Sequence, residues 1–459
     1  MKYQIAFLES QFEALQHHLF GQDGSEQAAF LLARQVTTAE SVRWLVRKVI
    51  PVELPDVISS SNVHMSIASR AYLRAMKEAD STRSCFIFVH SHPNGLQEFS
   101  KQDDSEEGAL FQTAYTRIHH ELLHASLVFA DRSNFRGRVW FSNNTQYPIE
   151  TIKVIGRRFR PIYSERPRDA PLEYFDRQAR AFTAEIQPVL KRLHLGVVGV
   201  GGTGSAVCEQ LIRLGIGEIT VIDAGSFENS NVNRVYGSCV FDQGNPKVNI
   251  AGRLATTIGL GTQVNNVVGH LSSTSVCRQL LECDLVFGCT DDEWGRSILN
   301  RLSWWYYIPV LDMGVSIDSA DGEIRSVNGR VTCLLPGNAC LYCRKRISSE
   351  RVRAEALAIT QPEEAEKLRK EGYLSGIHET APSVITFTSA IASAAVSEFL
   401  QMLTGFKGTE RTATEILYLF EADRVRSNST PSSADCICAN ASMWGQGDTP
   451  RFLDLNLRA

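Results

Sequence analysis

The sequence lacks any long apolar run and any strong excess of one charge. Its 47 basic and 51 acidic side chains leave a formal net charge of −4, which gives no electrostatic reason to expect a nucleic-acid or membrane surface. No stretch of about 18 apolar residues is present, so no membrane-spanning helix is predicted. The closest, 381–403, is interrupted by Ser, Thr, Glu and Gln and is interpreted as a buried helix of a soluble domain.

The first twenty residues also lack the continuous apolar core of a signal peptide. We therefore expect a cytoplasmic protein. In that reducing compartment, the eleven cysteines are expected to be metal ligands, core residues or nucleophiles rather than disulfides. Internal repeats are absent too, and the length of 459 residues predicts two or three globular domains.

Residues 1–150 are predicted to form one α/β domain, because short apolar strands alternate with helical patterns there. An amphipathic helix is predicted at 9–20. The strands are predicted at 3–8, 28–34, 84–90 and 126–130. Residues 151–170 are predicted to be a linker, since 157–171 is rich in Arg and Pro.

Residues 171–459 are predicted to form a second domain, in which a strand, a Gly-rich turn, a helix and a strand follow one another. This order is typical of a doubly wound, Rossmann-like parallel sheet. The core strands are predicted at 195–200, 218–223, 284–290 and 309–314. The polar, charged segment 344–378 is interpreted as a helical excursion on the surface.

A candidate metal site follows the third strand of the first domain, with the pattern H-x-H-x7-S-x2-D. His90 and His92 lie two residues apart on an extended segment and point to the same side. Pro93 then turns the chain, so that Asp103 can return as a third ligand. Two His and one carboxylate leave the fourth position of zinc open for water, as a catalytic site requires. The alternative is a polar loop, which the complete spacing after an apolar strand disfavours.

These residues resemble the JAMM motif of the JAB/MPN metalloproteases, over about the first 148 residues. Ser100 is then a candidate donor to the oxyanion of a tetrahedral intermediate. The resemblance implies cleavage of peptide or isopeptide bonds after ubiquitin-like proteins. It also implies a catalytic Glu ahead of an apolar strand, and Glu26 precedes AAFLLAR. The alternative for Glu26 is a solvated loop acid.

A candidate nucleotide site lies in GVGGTGS, which follows a strand and opens a helix. Its glycines, Gly199, Gly201, Gly202 and Gly204, let the backbone approach a phosphate at a helix N-terminus. Asp223 ends the next strand, where an acid can bind ribose. These features fit an NAD-dependent dehydrogenase equally well.

Four further side chains favour phosphoryl chemistry over dinucleotide oxidation: Asn231, Arg234, Lys247 and Asp291. Cationic side chains suit a triphosphate, and a carboxylate suits magnesium. The set resembles the ThiF/MoeB/ubiquitin-activating superfamily over residues 171–425. The resemblance implies ATP, Mg²⁺ and an acyl-adenylate at the C-terminus of a ubiquitin-like protein. It implies that Asp223 binds the ribose and that Asp291 binds magnesium. It also implies that Asn231, Arg234 and Lys247 contact the phosphates. Gly225 departs from the family, which often has a second Asp there.

The sequence YFDRQ resembles the RQ element of the same superfamily. In homodimeric members that Arg reaches the partner subunit's ATP. The resemblance therefore makes Arg177 a candidate arginine finger in trans and implies a symmetric homodimer. The alternative is a surface Arg in a linker helix.

The cysteines contain one C-x-x-C pair and one C-x-C pair. Cys340 with Cys343 and Cys436 with Cys438 would supply four thiolates for a closed structural zinc. The superfamily often uses two C-x-x-C pairs, so the second pair is a departure, and separate reduced thiols are the alternative.

Many superfamily members form a thioester on a Cys after the first pair, but 344–378 contains none. The remaining cysteines of the second domain are expected in core elements or at their edges, where thiols are usually inert. They are Cys208, Cys239, Cys277, Cys283, Cys289 and Cys333. We therefore expect direct transfer of the adenylate to another protein's nucleophile, and a thioester on an unusual Cys is the alternative.

The main hypothesis is a bifunctional enzyme with a JAB/MPN-like α/β zinc hydrolase domain and a Rossmann-like, ThiF-type adenylation domain that carries a structural zinc knot. Its implied cofactors are ATP, Mg²⁺ and two zinc ions. Its implied partners are a ubiquitin-like protein and a conjugating-enzyme-like carrier. Fusions of this kind resemble bacterial conjugation systems, some of them linked to antiphage defence. The alternatives are sulfur-carrier activation for biosynthesis and a scaffold protein with one dead site.

Overall fold

The computed structural model describes residues 1–21, 24–62, 64–165, 173–183, 185–370, 382–408, 411–448 and 451–458. The chain divides into two compact units. Within these described ranges, the first unit takes the residues up to 165 and 444–448, and the second takes those from 173 to 443 and 451–458. The fold class predicted from the sequence, two α/β units of which the second is Rossmann-like, is confirmed.

The first unit is built on one mixed sheet with the strand order β11-β10-β1-β3-β2-β6-β7-β8-β9. The strands are β1 (Lys2–Leu8), β2 (Ala28–Thr37), β3 (Ser41–Pro51), β4 (Val57–Ser60), β5 (Met65–Ile67), β6 (Cys85–Ser91), β7 (His124–Phe129), β8 (Phe135–Trp140), β9 (Gln146–Pro148), β10 (Thr151–Ile155) and β11 (Phe159–Tyr163). The helices are α1 (Glu9–Phe20), α2 (Ser69–Ser81) and α3 (Lys101–Arg117). The short strands β4 and β5 pair only with each other among the described strands.

Both faces of this sheet are covered, which explains the continuous apolar runs in its central strands. On one face, Phe12 and Leu15 of α1 pack with buried residues of β1, β3 and β6. On the other face, Met76 of α2 and Phe111 of α3 pack against Phe86 and its neighbours. The carboxyl end of β6 is therefore held between two apolar layers, and His90 lies at that end.

The predicted linker at 151–170 is wrong in its first part. Residues 151–155 and 159–163 are strands β10 and β11 of the first sheet, and β10 pairs in parallel with β1. Pro161 lies on the edge strand β11, which pairs with β10 alone among the described strands. An edge strand tolerates proline because one side makes no ladder. Residues 166–170 lie outside the described part of the chain.

The second unit contains a sheet with the order β14-β13-β12-β15-β16-β17-β18-β19. The strands are β12 (His194–Val198), β13 (Glu218–Asp223), β14 (Gln263–Val268), β15 (Leu285–Gly288), β16 (Val310–Ala320), β17 (Glu323–Leu334), β18 (Glu415–Leu419) and β19 (Arg424–Asn428). The helices are α4 (Asp176–Phe182), α5 (Ile186–Arg192), α6 (Gly202–Leu214), α7 (Lys247–Ile258), α8 (Thr274–Arg278), α9 (Glu293–Tyr306), α10 (Ser349–Thr360), α11 (Pro362–Lys370) and α12 (Ile385–Thr404).

The strands from β14 to β16 are parallel, and those beyond β16 are antiparallel. The chain leaves β12 toward β13 on one side and later returns to β15 on the other. The sheet therefore has a switch point at the carboxyl ends of β12 and β15, where open α/β sheets bind ligands.

The sequence predicts a buried helix within 381–403 and a helical excursion at 344–378 in this unit. The helix predicted within 381–403 is α12, whose apolar side chains Ile391 and Phe399 are fully buried. Among the residues that the structure describes, no helix is sufficiently long and apolar to cross a membrane. The predicted helical excursion contains α10 and α11, and residues 371–378 lie outside the described part.

Candidate metal centres and nucleotide site

The structure brings the three predicted metal ligands of the first unit together. The Nε2 atoms of His90 and His92 are 3.2 Å apart. Asp103 places Oδ1 3.4 Å from the His90 Nε2 atom and Oδ2 3.5 Å from the His92 Nε2 atom. Donors that surround a tetrahedral zinc at about 2.05 Å lie about 3.4 Å from one another. The spacing of these atoms therefore fits a zinc ion.

The start of α3 holds Asp103 in place. The amide of Ser100 donates to Asp103 Oδ2 at 2.6 Å, and the amide of Asp103 donates to Ser100 Oγ at 3.1 Å. This reciprocal pair is a capping box. Burial raises the pKa of Asp103, but hydrogen bonds with His90, His92 and the Ser100 amide outweigh it and bring the pKa well below the usual range. Asp103 is therefore available as an ionised ligand.

The second ring nitrogen of each histidine has a different neighbour. His92 Nδ1 lies 3.1 Å from the carbonyl oxygen of Leu96, which fixes a proton on Nδ1 and leaves Nε2 for a metal. His90 Nδ1 lies 3.9 Å from Oε1 of Glu107. Glu107 was not predicted from the sequence, although it follows Asp103 by four residues on α3 and that spacing puts both on one helix face.

Glu26 reaches the same cluster because β2 pairs with β6. Ala28 is opposite His90, and the amide of Gln27 donates to Ser91 Oγ at 3.0 Å. The Glu26 side chain is 6% exposed. Burial raises its pKa above the usual range, and the nearby charge of His90 opposes this shift. A buried acid with a raised pKa beside metal ligands has the properties of a general base or acid.

A cavity of about 480 Å³ opens onto this cluster. Its lining includes Glu26, the three candidate ligands and Ser100. The remaining wall mixes apolar side chains with polar ones such as His64, Gln102 and Glu106. Its apolar residues include Met65, Ile67, Tyr72, Leu73, Met76, Phe88, Leu96 and Leu110. The arrangement offers an open metal position, an acid and a hydroxyl to a substrate that enters the cavity.

In the second unit, close backbone packing requires glycine at two positions of the loop after β12. Gly199 has a φ of +88°, and a Cβ there would lie 2.8 Å from the carbonyl oxygen of Cys289. A Cβ on Gly204 would lie 1.8 Å from the Gly199 oxygen. The loop therefore folds tightly over the end of β15, and α6 begins at Gly202 within it. A loop of this kind exposes backbone amides to a phosphate.

Asp223 fastens this loop to the end of β13. Its Oδ2 accepts from the amide of Val200 at 2.6 Å, and its Oδ1 accepts from the amide of Gly225 at 2.7 Å. A Cβ on Gly225 would lie 3.2 Å from Nζ of Lys247, which begins α7. The glycine that departs from the family pattern thus leaves room for Lys247 close to Asp223.

Asn231 and Arg234 lie on the segment that follows β13. The Arg234 side chain lies over the start of α6, since a Cβ on Gly202 would be 3.4 Å from its Cδ. Its Nη1 donates to the carbonyl oxygen of Ser230. The Asn231 side chain is buried, and its Oδ1 accepts from the amide of Glu228 at 3.2 Å. Arg234 is therefore close to the glycine loop, while Asn231 supports the segment that carries it.

Asp291 and Asp292 follow β15 and differ in their surroundings. Asp292 caps α9, accepts from Thr290 and Gly295, and lies 3.3 Å from His270 Nε2. Asp291 is exposed at the same end of the sheet. Because the Asp292 carboxylate already caps α9, Asp291 remains the candidate magnesium ligand.

Arg177 is exposed on α4. The next residue, Gln178, donates to the carbonyl oxygen of Leu214 at 3.0 Å and to Gln187 Oε1 at 2.8 Å. These bonds attach α4 to the end of α6. The role of Arg177 as an arginine finger in the ATP site of a partner subunit stays a prediction.

The four cysteines of the predicted knot also come together. The Sγ atoms of Cys340 and Cys436 are 3.5 Å apart, and those of Cys343 and Cys438 are 3.7 Å apart. All four sulfurs lie within 4.8 Å of one another. Thiolates around a tetrahedral zinc at 2.3 Å are about 3.8 Å apart. The tighter C-x-C spacing therefore still fits one metal ion.

The remaining cysteines of this unit differ from the expectation at one position. Burial raises the pKa of the Cys208, Cys277 and Cys333 thiols to about 12 and also raises that of Cys289. Cys239, predicted at a core element or its edge, is instead exposed. It is the N-cap of a short 3-10 turn, Val240–Asp242, in the loop before α7. Cys283 is buried as expected.

Comparison with known sequences decides the family. Residues 175–438, more than half of the chain, match the ThiF family. The chain belongs to the ThiF family. Residues 8–140 match the prokaryotic homologs of the JAB domain, so a JAB-like domain precedes the ThiF domain.

Individual relatives match parts of the chain. The SAMP-activating enzyme E1 of Haloferax volcanii is 28% identical over 32% of this chain and 51% of that protein. The molybdopterin-synthase adenylyltransferase of Escherichia coli is 27% identical over 37% and 66%. The chain thus spans between half and two thirds of the length of these relatives. The crystal structure of E. coli MccB with MccA-N7isoASN is 16% identical, with a TM-score of 0.47 over 59% of this chain and 76% of that one.

Proposed function

We propose that this chain activates and processes a ubiquitin-like protein at two separate sites. The ThiF domain would use ATP to adenylate the C-terminal carboxylate of that protein. The JAB-like domain would cleave a peptide or isopeptide bond at the same terminus. The observation that carries the proposal is that one chain holds both an open three-ligand cluster beside a buried acid and a glycine loop within a ThiF-family domain.

In the adenylation step, a carboxylate oxygen of the ubiquitin-like protein attacks the α-phosphorus of ATP. The bond to the β,γ-phosphates breaks, and pyrophosphate leaves with its electron pair. Arg234 and Lys247 would neutralise the phosphate charge beside the glycine loop. Asp223 would bind the ribose, and Asp291 would hold the magnesium ion. Arg177 would contribute from the partner subunit of a homodimer.

In the cleavage step, a zinc ion on His90, His92 and Asp103 would lower the pKa of its bound water. Glu26 would take a proton from that water and pass it to the leaving amine. The Ser100 hydroxyl oxygen accepts a hydrogen bond from the Asp103 amide. The hydroxyl proton is therefore available to be donated to the oxyanion. The cavity would hold the substrate chain above these groups.

The adenylation proposal is tested by ATP–pyrophosphate exchange with a ubiquitin-like protein encoded near this gene. We expect exchange that depends on that protein and that falls at least about 100-fold in Asp291→Ala. Asp318→Ala, an exposed acid on β16, is the matched control. Absent exchange with wild type, or undiminished exchange in Asp291→Ala, would contradict the proposal.

The cleavage proposal is tested with the same protein carrying a C-terminal extension. We expect processing that a chelator abolishes and that is lost in His92→Ala. His119→Ala is the control, because its side chain is 77% exposed in the same unit. Processing that persists in His92→Ala would count against the zinc mechanism.

The fate of the adenylate is tested by the mass spectrum of the enzyme after incubation with ATP and the ubiquitin-like protein. We expect no thioester, because the buried thiols have raised pKa values. The adenylate would pass directly to a nucleophile on a conjugating-enzyme-like carrier. An adduct that Cys239→Ser removes would instead assign the thioester to the exposed cysteine.

Sulfur-carrier activation for biosynthesis is the second candidate, favoured by the similarity to a molybdopterin-synthase adenylyltransferase. A neighbouring gene for a conjugating enzyme supports protein modification in a bacterial system, including one for antiphage defence. A neighbouring gene for a sulfur transferase supports the second candidate.

A further inference from the structure

Two polar atoms in the first unit are buried, face each other and have no hydrogen-bond partner among the described residues. They are His90 Nδ1 and Glu107 Oε1, which are 3.9 Å apart. His90 is 5% exposed and Glu107 is 2% exposed. Buried polar groups are nearly always paired, so an unpaired pair at a metal-ligand cluster indicates an interaction that forms when a ligand binds.

The other carboxylate oxygen of Glu107 is fully occupied. Oε2 accepts from Arg138 Nε at 3.0 Å, from Arg138 Nη2 at 2.8 Å and from Ser126 Oγ at 2.5 Å. Trp140 Nε1 in turn donates to Ser126 Oγ at 3.0 Å. Because all three contacts place a donor on Oε2, this oxygen acts only as an acceptor. They fix the side chain so that Oε1 points at His90.

We propose that Glu107 is a positioning residue that accepts a hydrogen bond from His90 Nδ1 when His90 Nε2 binds zinc. A neutral imidazole that gives the Nε2 lone pair to a metal carries its proton on Nδ1, and that proton needs an acceptor. A shift of about 1 Å brings 3.9 Å to the length of a normal hydrogen bond. The inference rests on the zinc site of the proposed function.

The two histidines then have acceptors of different strength. His92 donates to the neutral carbonyl of Leu96, whereas His90 donates to a carboxylate. A carboxylate acceptor makes the imidazole a stronger metal ligand than a carbonyl does. Glu107 would therefore set the zinc affinity of the site without being a ligand of the metal itself.

The test measures the zinc affinity of the full chain by competition with a chromophoric chelator. His92→Ala identifies which bound zinc belongs to this site. In Glu107→Gln, which keeps the side-chain volume, we expect zinc to bind 10- to 100-fold more weakly, roughly the loss seen when such an acceptor is removed. Cleavage at saturating zinc should recover in part, which a collapsed site would not show.

Asp104→Asn is the matched control, because Asp104 lies on the same helix and also accepts from Arg138 but is 58% exposed. It removes the same charge without facing His90, and we expect its zinc affinity within about twofold of wild type. If Asp104→Asn loses as much affinity as Glu107→Gln, the effect comes from Arg138 and the proposal is wrong.

Glu107→Gln leaves a buried Arg138 partly unpaired, which destabilises a fold. The double variant Glu107→Gln/Arg138→Met removes that charge as well, and weak zinc binding is expected in it too. Unchanged zinc affinity in either folded variant overturns the role of Glu107. If wild-type protein binds no more zinc than His92→Ala, the site holds no zinc, and this result would contradict the proposed function itself.

Discussion

The two candidate metal clusters of this chain differ in the number and kind of their ligands. The cluster in the JAB-like domain has two His and one Asp and lines a cavity of about 480 Å³. The cluster in the ThiF domain has four Cys. Three ligands beside a cavity leave a position for water, whereas four thiolates complete the tetrahedron. The comparison supports the catalytic role proposed for the first cluster and the structural role predicted for the second.

The clusters also differ in how much chain they connect. His90, His92 and Asp103 come from one strand, one turn and the start of one helix. Cys340 and Cys436 are 96 residues apart in sequence. A metal on the first cluster would therefore fix a local segment, while a metal on the second would hold together distant parts of the fold.

The largest expected effect separates the clusters by stability. In Cys438→Ser, we expect the ThiF domain to lose at least about 3 kcal/mol of unfolding free energy, because a structural metal contributes directly to folding. Thermal unfolding with zinc analysis is the measurement. Cys239→Ser, at an exposed thiol, should leave both unchanged. Equal stability of the two variants would remove the structural role.

The second prediction concerns the acid beside the open cluster. In Glu26→Gln, we expect cleavage to fall roughly 10²- to 10⁴-fold, the usual contribution of a general base. Zinc content and thermal stability should stay at wild-type values, since Glu26 is not a proposed ligand. Glu53→Gln, at an exposed acid of the same domain, is the control. Retained cleavage in Glu26→Gln would move the base to another residue.

The smallest effect is expected at Ser100, which combines a cap with a proposed oxyanion donor. Ser100→Ala should lower kcat by about 10²-fold through the lost donor. It should also cost about 1 kcal/mol through the lost cap of α3. Ser100→Gly separates the two effects, because glycine retains most of the capping and none of the hydroxyl. A normal kcat in Ser100→Gly would reject the oxyanion role.

The local parts of both domains were predictable. Helix α1 and strand β13 have the predicted bounds, since amphipathic and apolar periodicity determine them. The ligand cluster and the glycine loop were predicted because their spacing follows from the geometry of one strand and one turn. The ThiF and JAB-like families were predicted correctly from these same motifs.

The elements that the sequence analysis missed depend on contacts with residues that are distant in the chain. Strand β14, with the sequence QVNNVV, has no buried residue and forms because β13 offers it a parallel edge. Strands β10 and β11 lie in a segment whose Arg and Pro content favoured a linker. Glu107 gains its partners from β7 and β8, which follow in the chain. The exposure of Cys239 depends on what covers its loop, and residue spacing carries no information about that.

The meeting of the cysteine pairs has a consequence for protein engineering. Cys340 and Cys436 lie together although they are 96 residues apart, so a metal on the four cysteines would close the intervening chain into a loop. Doubling the length of such a closed loop costs only about 0.6 kcal/mol in chain entropy. A reporter inserted at the exposed Gln361, between α10 and α11, is therefore expected to leave the sheet assembled.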